Sequence, residues 1–150
     1  MNARGFTLVE LMIVVALAGI LATMIVPTLS SFARTAALQA AARELATSIN
    51  LGRQLAIARN ISVCVEVAST TSIRLRTGGC AGAVWTGPGT DGNGAIRISD
   101  TGALAISATA NVVFTSLGAA LPAGTYIVTN SGDTATRTVV VAATGRVSVR

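Results

Sequence analysis

The chain has 150 residues, 51% of them apolar and only 3% aromatic. All 11 basic residues are arginines, set against 6 acids for a net charge of +5, and there is no histidine. Without an imidazole there is no Ser–His or Cys–His nucleophile and no histidine base; two cysteines alone also leave the ligand set of a metal site short. The positive balance suits either an anionic partner, such as a phosphate backbone or a lipid surface, or plain solubility.

From Phe6 to Val26 the sequence carries one charge, Glu10. As a helix this stretch is roughly 30 Å long, the thickness of a bilayer's hydrocarbon core. A carboxylate at the centre of such a span costs about 2.5–3.5 kcal/mol on insertion scales. Glu10 therefore needs either a place at the membrane edge, among headgroups, or a compensating cation. Ahead of it stands Met1-Asn2-Ala3-Arg4-Gly5, a short leader whose only charge, Arg4, places the N-terminus on the cytoplasmic side. An ordinary secretory signal would have an apolar region of about 7–15 residues ending in a small-residue cleavage site. Here the apolar run is longer and starts directly after Gly5.

The words Arg4-Gly5-Phe6-Thr7-Leu8-Val9-Glu10 resemble the type III signal of type IV pilins and type II secretion pseudopilins. The resemblance implies that a membrane peptidase cuts between Gly5 and Phe6 and methylates the new amine on Phe6. It also implies that Glu10 meets the positive N-terminus of a neighbouring subunit during filament assembly. Residues 1–5 are then a removed leader, residues 6–30 the transmembrane half of a helix, and residues 31–150 a periplasmic globular domain.

Pro27 either ends the helix or kinks it. Beyond it, Leu38, Ala42, Leu45, Ile49, Gly52 and Ala56 recur at steps of three and four, while Arg34, Arg43, Glu44, Thr47, Asn50 and Arg53 fall largely elsewhere. That is an amphipathic helix with one apolar stripe, which favours a kink over a stop. The spacing predicts one long helix from about Phe6 to about Arg59.

After it the period changes to two. Ile61 to Val67 alternates, with Ile61, Val63, Val65 and Val67 on one face. Ser72 to Arg76 alternates with Arg74 and Arg76 together. A glycine-rich loop from Gly78 to Gly94 holds Cys80, Trp85, Pro88 and Asp91. Further strands are expected at 95–99, 111–117, 125–129, 135–142 and 146–150, with turns at Asp100-Thr101-Gly102 and Ser131-Gly132-Asp133. The result is an α+β plan: one long N-terminal helix packed on an antiparallel sheet of about seven short strands.

Cys64 and Cys80 lie beyond the span. In an oxidising compartment such a pair bridges, closing a loop worth roughly 3 kcal/mol in the chain-entropy model; in a reducing one they are two free thiols. Asp91-Gly92-Asn93-Gly94 starts like a calcium loop, but no glutamate closes it, and the same residues are turn formers. The acids form no catalytic pair, and no cofactor-binding fingerprint is present. In Gly145-Arg146-Val147-Ser148-Val149-Arg150, period two puts Arg146, Ser148 and Arg150 on one face and points Val147 and Val149 into the core. Arg137, on the adjoining strand, is a third candidate. This face is either a solvated outer surface or a phosphate-binding patch.

The order Ala58-Arg59-Asn60, Val63-Cys64, Cys80, Trp85-x-Gly87, Val113-Phe114-x-x-x-Gly118 and Val139-Val140-Val141-x-x-Thr144-Gly145-Arg146-Val147 is similar to the GspH/FimT family. With the leader and helix the resemblance covers nearly the whole chain. It implies a pilin-like fold, no enzymatic activity, other pilins or pseudopilins as partners, and a place in the bacterial inner membrane and its filaments. The family holds three jobs: building a secretion pseudopilus, priming a pilus tip, and binding DNA through a Gly-Arg-x-Arg motif. Here Gly145 and Arg146 match that motif, and Ser148 stands where its second arginine is expected; Arg150 is the next residue on that face.

Overall fold

Helix α1 runs from Leu8 to Arg59, and side-chain chemistry sets both ends. The structure, a computed structural model, describes residues 7–99, 103–132 and 134–150, without the side chains of residues 24–28. The Gly5–Phe6 junction, the Asp100-Thr101-Gly102 turn, Asp133 and the Pro27 side chain lie outside the described residues. At the start, Thr7 Oγ1 accepts the backbone N–H of Glu10 at 3.3 Å. The Thr-x-x-Glu sequence is that of a capping box, which satisfies donors a helix start leaves unpaired. At the other end Asn60 takes φ +52°. Ile61 N–H donates to Ala56 O at 3.1 Å and Asn60 N–H to Ile57 O at 3.2 Å, a Schellman closure. Helical backbone continues through Pro27, so the proline does not end α1.

The chain divides into two compact units, Met1–Ala36 and Ala37–Arg150, and α1 contributes to both. In the first unit every described side chain is exposed, on all faces of the helix. Among the described residues no helix is long and apolar enough to cross a membrane; the apolar run of the sequence extends past the described side chains at both ends.

The second unit is built on the expected stripe. Leu38, Ala42, Leu45, Ile49 and Ala56 are each at most 1% exposed. Gly52 lies where a Cβ would come within 3.1 Å of both Leu75 Cδ2 and Val65 Cγ2, so the helix is in close contact with the strands beneath it. Two antiparallel sheets complete the core, where the sequence reading expected one. The first contains β1 (Val63–Ser69), β2 (Ser72–Thr77), β3 (Ala83–Val84), β4 (Ala95–Arg97) and β6 (Val112–Phe114), in the order β3-β2-β1-β6 with β4 also on β2. The second contains β5 (Leu104–Ala108), β7 (Gly124–Asn130), β8 (Thr136–Val141) and β9 (Val147–Val149), in the order β5-β7-β8-β9. The two-residue β3 and the alanine-rich β5 were not expected as strands. β1 starts at Val63, because Ile61 closes the helix.

Tyr126 ties the two sheets together. Its ring is fully buried in the core on β7. Its hydroxyl donates to Val65 O of β1 at 2.9 Å and accepts Val112 N–H of β6 at 3.4 Å. Burial pushes its pKa up to about 12, against the Val112 N–H, which favours the phenolate. The folded protein therefore keeps a proton that the unfolded chain loses near pH 10. The associated stability is intact below about pH 10 and is lost as pH rises toward 12, by about 2–3 kcal/mol in all. Tyr126→Phe should remove this alkaline loss while costing about 1 kcal/mol at neutral pH, because Val65 O loses its partner. Denaturation midpoints followed by Trp85 fluorescence across the alkaline range check both parts.

Candidate functional site: an exposed apolar helix and a glycine-mounted strand edge

Glu10 is exposed in the first turn of α1, with its backbone N–H capped by Thr7. A carboxylate there also faces the positive end of the helix dipole. Leu8, Val9, Leu11, Met12, Ile13 and Val14 around it are all more than half exposed. A helix apolar on every side is not one that water alone surrounds in a working protein.

In the second unit Cys64 and Cys80 are joined as a disulfide, with Cα atoms 5.0 Å apart. The bridge fastens the Gly78–Gly82 turn against β1, and Gly78 N–H also donates to the carbonyl of Ser62, just before that strand, at 2.8 Å. Beside it Glu66 accepts Arg76 Nε at 2.8 Å and lies 3.5 Å from Arg74 Nη1. Arg76 Nη1 then donates to Gly82 O at 3.0 Å. Asp91 closes a turn: its Oδ1 accepts the N–H of Ala95 at 2.8 Å and of Asn93 at 2.9 Å. Those two donors hold its carboxyl below the usual range. An open groove of about 460 Å³ lies between α1 and the Pro88–Arg97 segment, lined by Glu44, Asn50, Gln54 and Ile96 among others. Among the described residues no three His, Cys, Asp or Glu side chains gather as metal ligands.

The C-terminal arginines sit on a bolted turn. Gly145 has φ +79°, and a Cβ there would overlap the carbonyl oxygen of Gly118. Gly118, at φ +80°, offers that same oxygen to Arg53 Nε at 2.9 Å. Ala120 N–H donates to Ala143 O at 2.9 Å, so the β6–β7 loop and the β8–β9 turn are held together. Arg146 and Arg150 emerge exposed from this mount, with Ser148 between them. Arg137 does not join them. It pairs with Val128 and shares the side of β8 that carries buried Val139 and Val141, the face opposite Thr138 and Arg150. Val147 packs on the core as expected, but Val149 is 38% exposed at the end of the last strand.

A family model for the prokaryotic N-terminal methylation motif matches residues 1–26. One for the type II transport protein GspH matches residues 41–145. The chain belongs to the GspH family. Its fold is similar to that of the type IV minor pilin FimU of Pseudomonas aeruginosa, at 18% identity over 79% of this chain and 92% of that one, with a TM-score of 0.60. It is similar to the minor pseudopilin EpsH from the type 2 secretion system of Vibrio cholerae, at 11% identity over 75% and 95% of the two chains, TM-score 0.58. Escherichia coli GspH aligns at 13% identity over 77% and 88%, TM-score 0.57. No curated protein matches the sequence. The family and fold are those of structural pilin subunits, not enzymes.

Sequence reading missed how this GspH-family chain mounts its arginines. The helical pattern groups Arg53 with the polar residues off the stripe, yet it is half-buried and crosses to Gly118. The available signal was a pair of turn glycines, Gly118 and Gly145, beside an arginine that follows the stripe glycine Gly52. Gly145→Ala should lower stability by at least about 2 kcal/mol, since it combines a left-handed backbone with a steric overlap. Thr144→Ala, one residue away and exposed, should stay within about 0.5 kcal/mol. Denaturant midpoints of the two variants give the comparison.

Proposed function

We infer that the chain is a minor pilin or pseudopilin that enters a filament through its N-terminal helix. The observation that carries this reading is the stretch of α1 from Leu8 to Thr23, where exposed apolar side chains cover every face of the helix and the one charge is Glu10. The methylation motif over residues 1–26 supports it. On this reading a prepilin peptidase removes residues 1–5 and methylates Phe6. Residues 6–30 anchor the protein in the inner membrane as a single pass, and residues 31–150 stand in the periplasm, where a Cys64–Cys80 bridge is stable. Neighbouring pilins cover the apolar helix, and the new N-terminal amine of one compensates the Glu10 carboxylate of the next. Removing one partner of such a buried pair costs about 3–5 kcal/mol. Glu10→Ala should therefore reduce filament incorporation by about a hundredfold or more, with the protein still accumulating in the membrane. Normal incorporation of the variant in sheared filaments would sink the reading.

A second reading is DNA binding in uptake, favoured by Arg146 and Arg150 standing exposed on one face with a common mount. Arg137, on the other face, takes no part. Affinity for duplex DNA should fall with salt, and each arginine replaced by alanine should reduce the log–log slope by about 0.9. Electrophoretic or anisotropy titrations at several salt concentrations measure it; an unchanged slope in the Arg146→Ala/Arg150→Ala double variant excludes it.

A further inference from the structure

β9 is the last strand of its sheet, and its register on β8 fixes where its backbone points. The pairs are Val139↔Val149, Val140↔Ser148 and Val141↔Val147. Thr138 and Arg150 exchange both backbone hydrogen bonds, at 2.9 and 2.8 Å. In an antiparallel ladder such pairs alternate with pairs whose polar groups point outward. Ser148 therefore bonds inward to Val140, and the N–H and C=O groups of Val147 and Val149 point away from β8. Among the described residues no strand lies on that side. Four aligned backbone groups on an open edge are a template for an added strand.

We propose that β9 receives an extended acidic segment of a partner protein by strand addition. The charge pattern selects the occupant. Arg146 and Arg150 are exposed and flank Ser148 on the outer face. An incoming antiparallel strand places residues opposite all three on that face, within cross-strand contact distance. Carboxylates two positions to either side of its centre meet the two guanidiniums. Its alternate residues fall beside Val147 and Val149, and an apolar residue there covers the exposed part of Val149. A second copy of this chain does not fit: antiparallel β9–β9 pairing centred on Ser148 sets Arg146 against Arg150 twice, a like-charge arrangement that destabilises the pair. The proposal goes beyond filament entry through α1 and is independent of it. It differs from DNA binding in using the backbone as well as the arginines.

The test uses the full chain in detergent micelles and the blocked peptide Ser-Asp-Val-Thr-Val-Asp-Ser, titrated to millimolar concentration with backbone amide resonances followed. The Val147 and Val149 amides should shift and exchange more slowly, and the peptide with lysine in place of aspartate should bind about tenfold more weakly or worse. Val149→Pro removes an outward N–H without costing β8 a hydrogen bond, and should abolish peptide binding while leaving DNA titrations unaffected. If that variant does not fold, the double variant Arg146→Glu/Arg150→Glu decides by reversing the preference to the lysine peptide. Unmoved Val147 and Val149 amides would overturn the proposal, as would full binding by folded Val149→Pro or an unchanged peptide preference in the charge-reversed variant. A DNA duplex that perturbs Arg146 and Arg150 while the peptide perturbs nothing would overturn it too, in favour of a phosphate-binding face.

Discussion

The distance between α1 and β1–β2 at Gly52 sets the geometry of the second unit. A Cβ at Gly52 would already lie 3.1 Å from the methyl groups of Leu75 and Val65, so the helix packs closely on the two strands beneath it. Leu45 and Ile49 on one side and Ala56 on the other are buried by that approach. Its consequence reaches further through the next residue. Arg53, carried down with Gly52, is near enough to bond Gly118 O, and Gly118 in turn backs the Gly145 turn. A larger residue at position 52 would lift the helix, lengthen the Arg53 hydrogen bond and loosen the base from which Arg146 and β9 start.

The parts legible from sequence were those governed by period and by local chemistry. The helix stripe from Leu38 to Ala56, and the end of α1 near Arg59, follow from 3.6-residue spacing and the change to period two after it. The pairing of Glu66 with Arg74 and Arg76 was half legible, since period two puts both arginines on one face. What stayed hidden depends on long-range pairing. Leu104 to Ala108 forms β5 because β7 lies alongside it; its alanines and serine carry little strand preference of their own. The division into two sheets was equally hidden, because alternation within a strand says nothing about which strands pair. Arg137 shows the same limit. Its strand was expected, but only the β7–β8–β9 register reveals that it faces away from Arg146 and Arg150.

The second unit keeps its two sheets in register through a few polar ties set into an apolar core. Tyr126 reaches across to Val65 O. Ile106 N–H of β5 donates to Thr70 O at 2.6 Å, so the β1–β2 turn anchors the start of the second sheet. Apolar burial supplies most of the stabilisation but is indifferent to sliding of one sheet on the other. Directional bonds of this kind are not, and the Tyr126 hydroxyl supplies two of them where a phenyl ring would supply none.

The all-arginine composition has a structural meaning that net charge concealed. Arg53 fastens the β6–β7 loop through Gly118 O, and Arg76 fastens the Gly78–Gly82 turn through Gly82 O while also holding Glu66. In both cases a guanidinium rooted in regular structure grips the carbonyl of a loop glycine. A planar fork with several fixed donors suits this task, and a single mobile ammonium does not. Part of the +5 charge is thus committed to internal fastening. Arg146 and Arg150 are different in kind: they are exposed, they stand on the mount that Arg53 helps build, and they border β9, whose Val147 and Val149 backbone groups face away from β8.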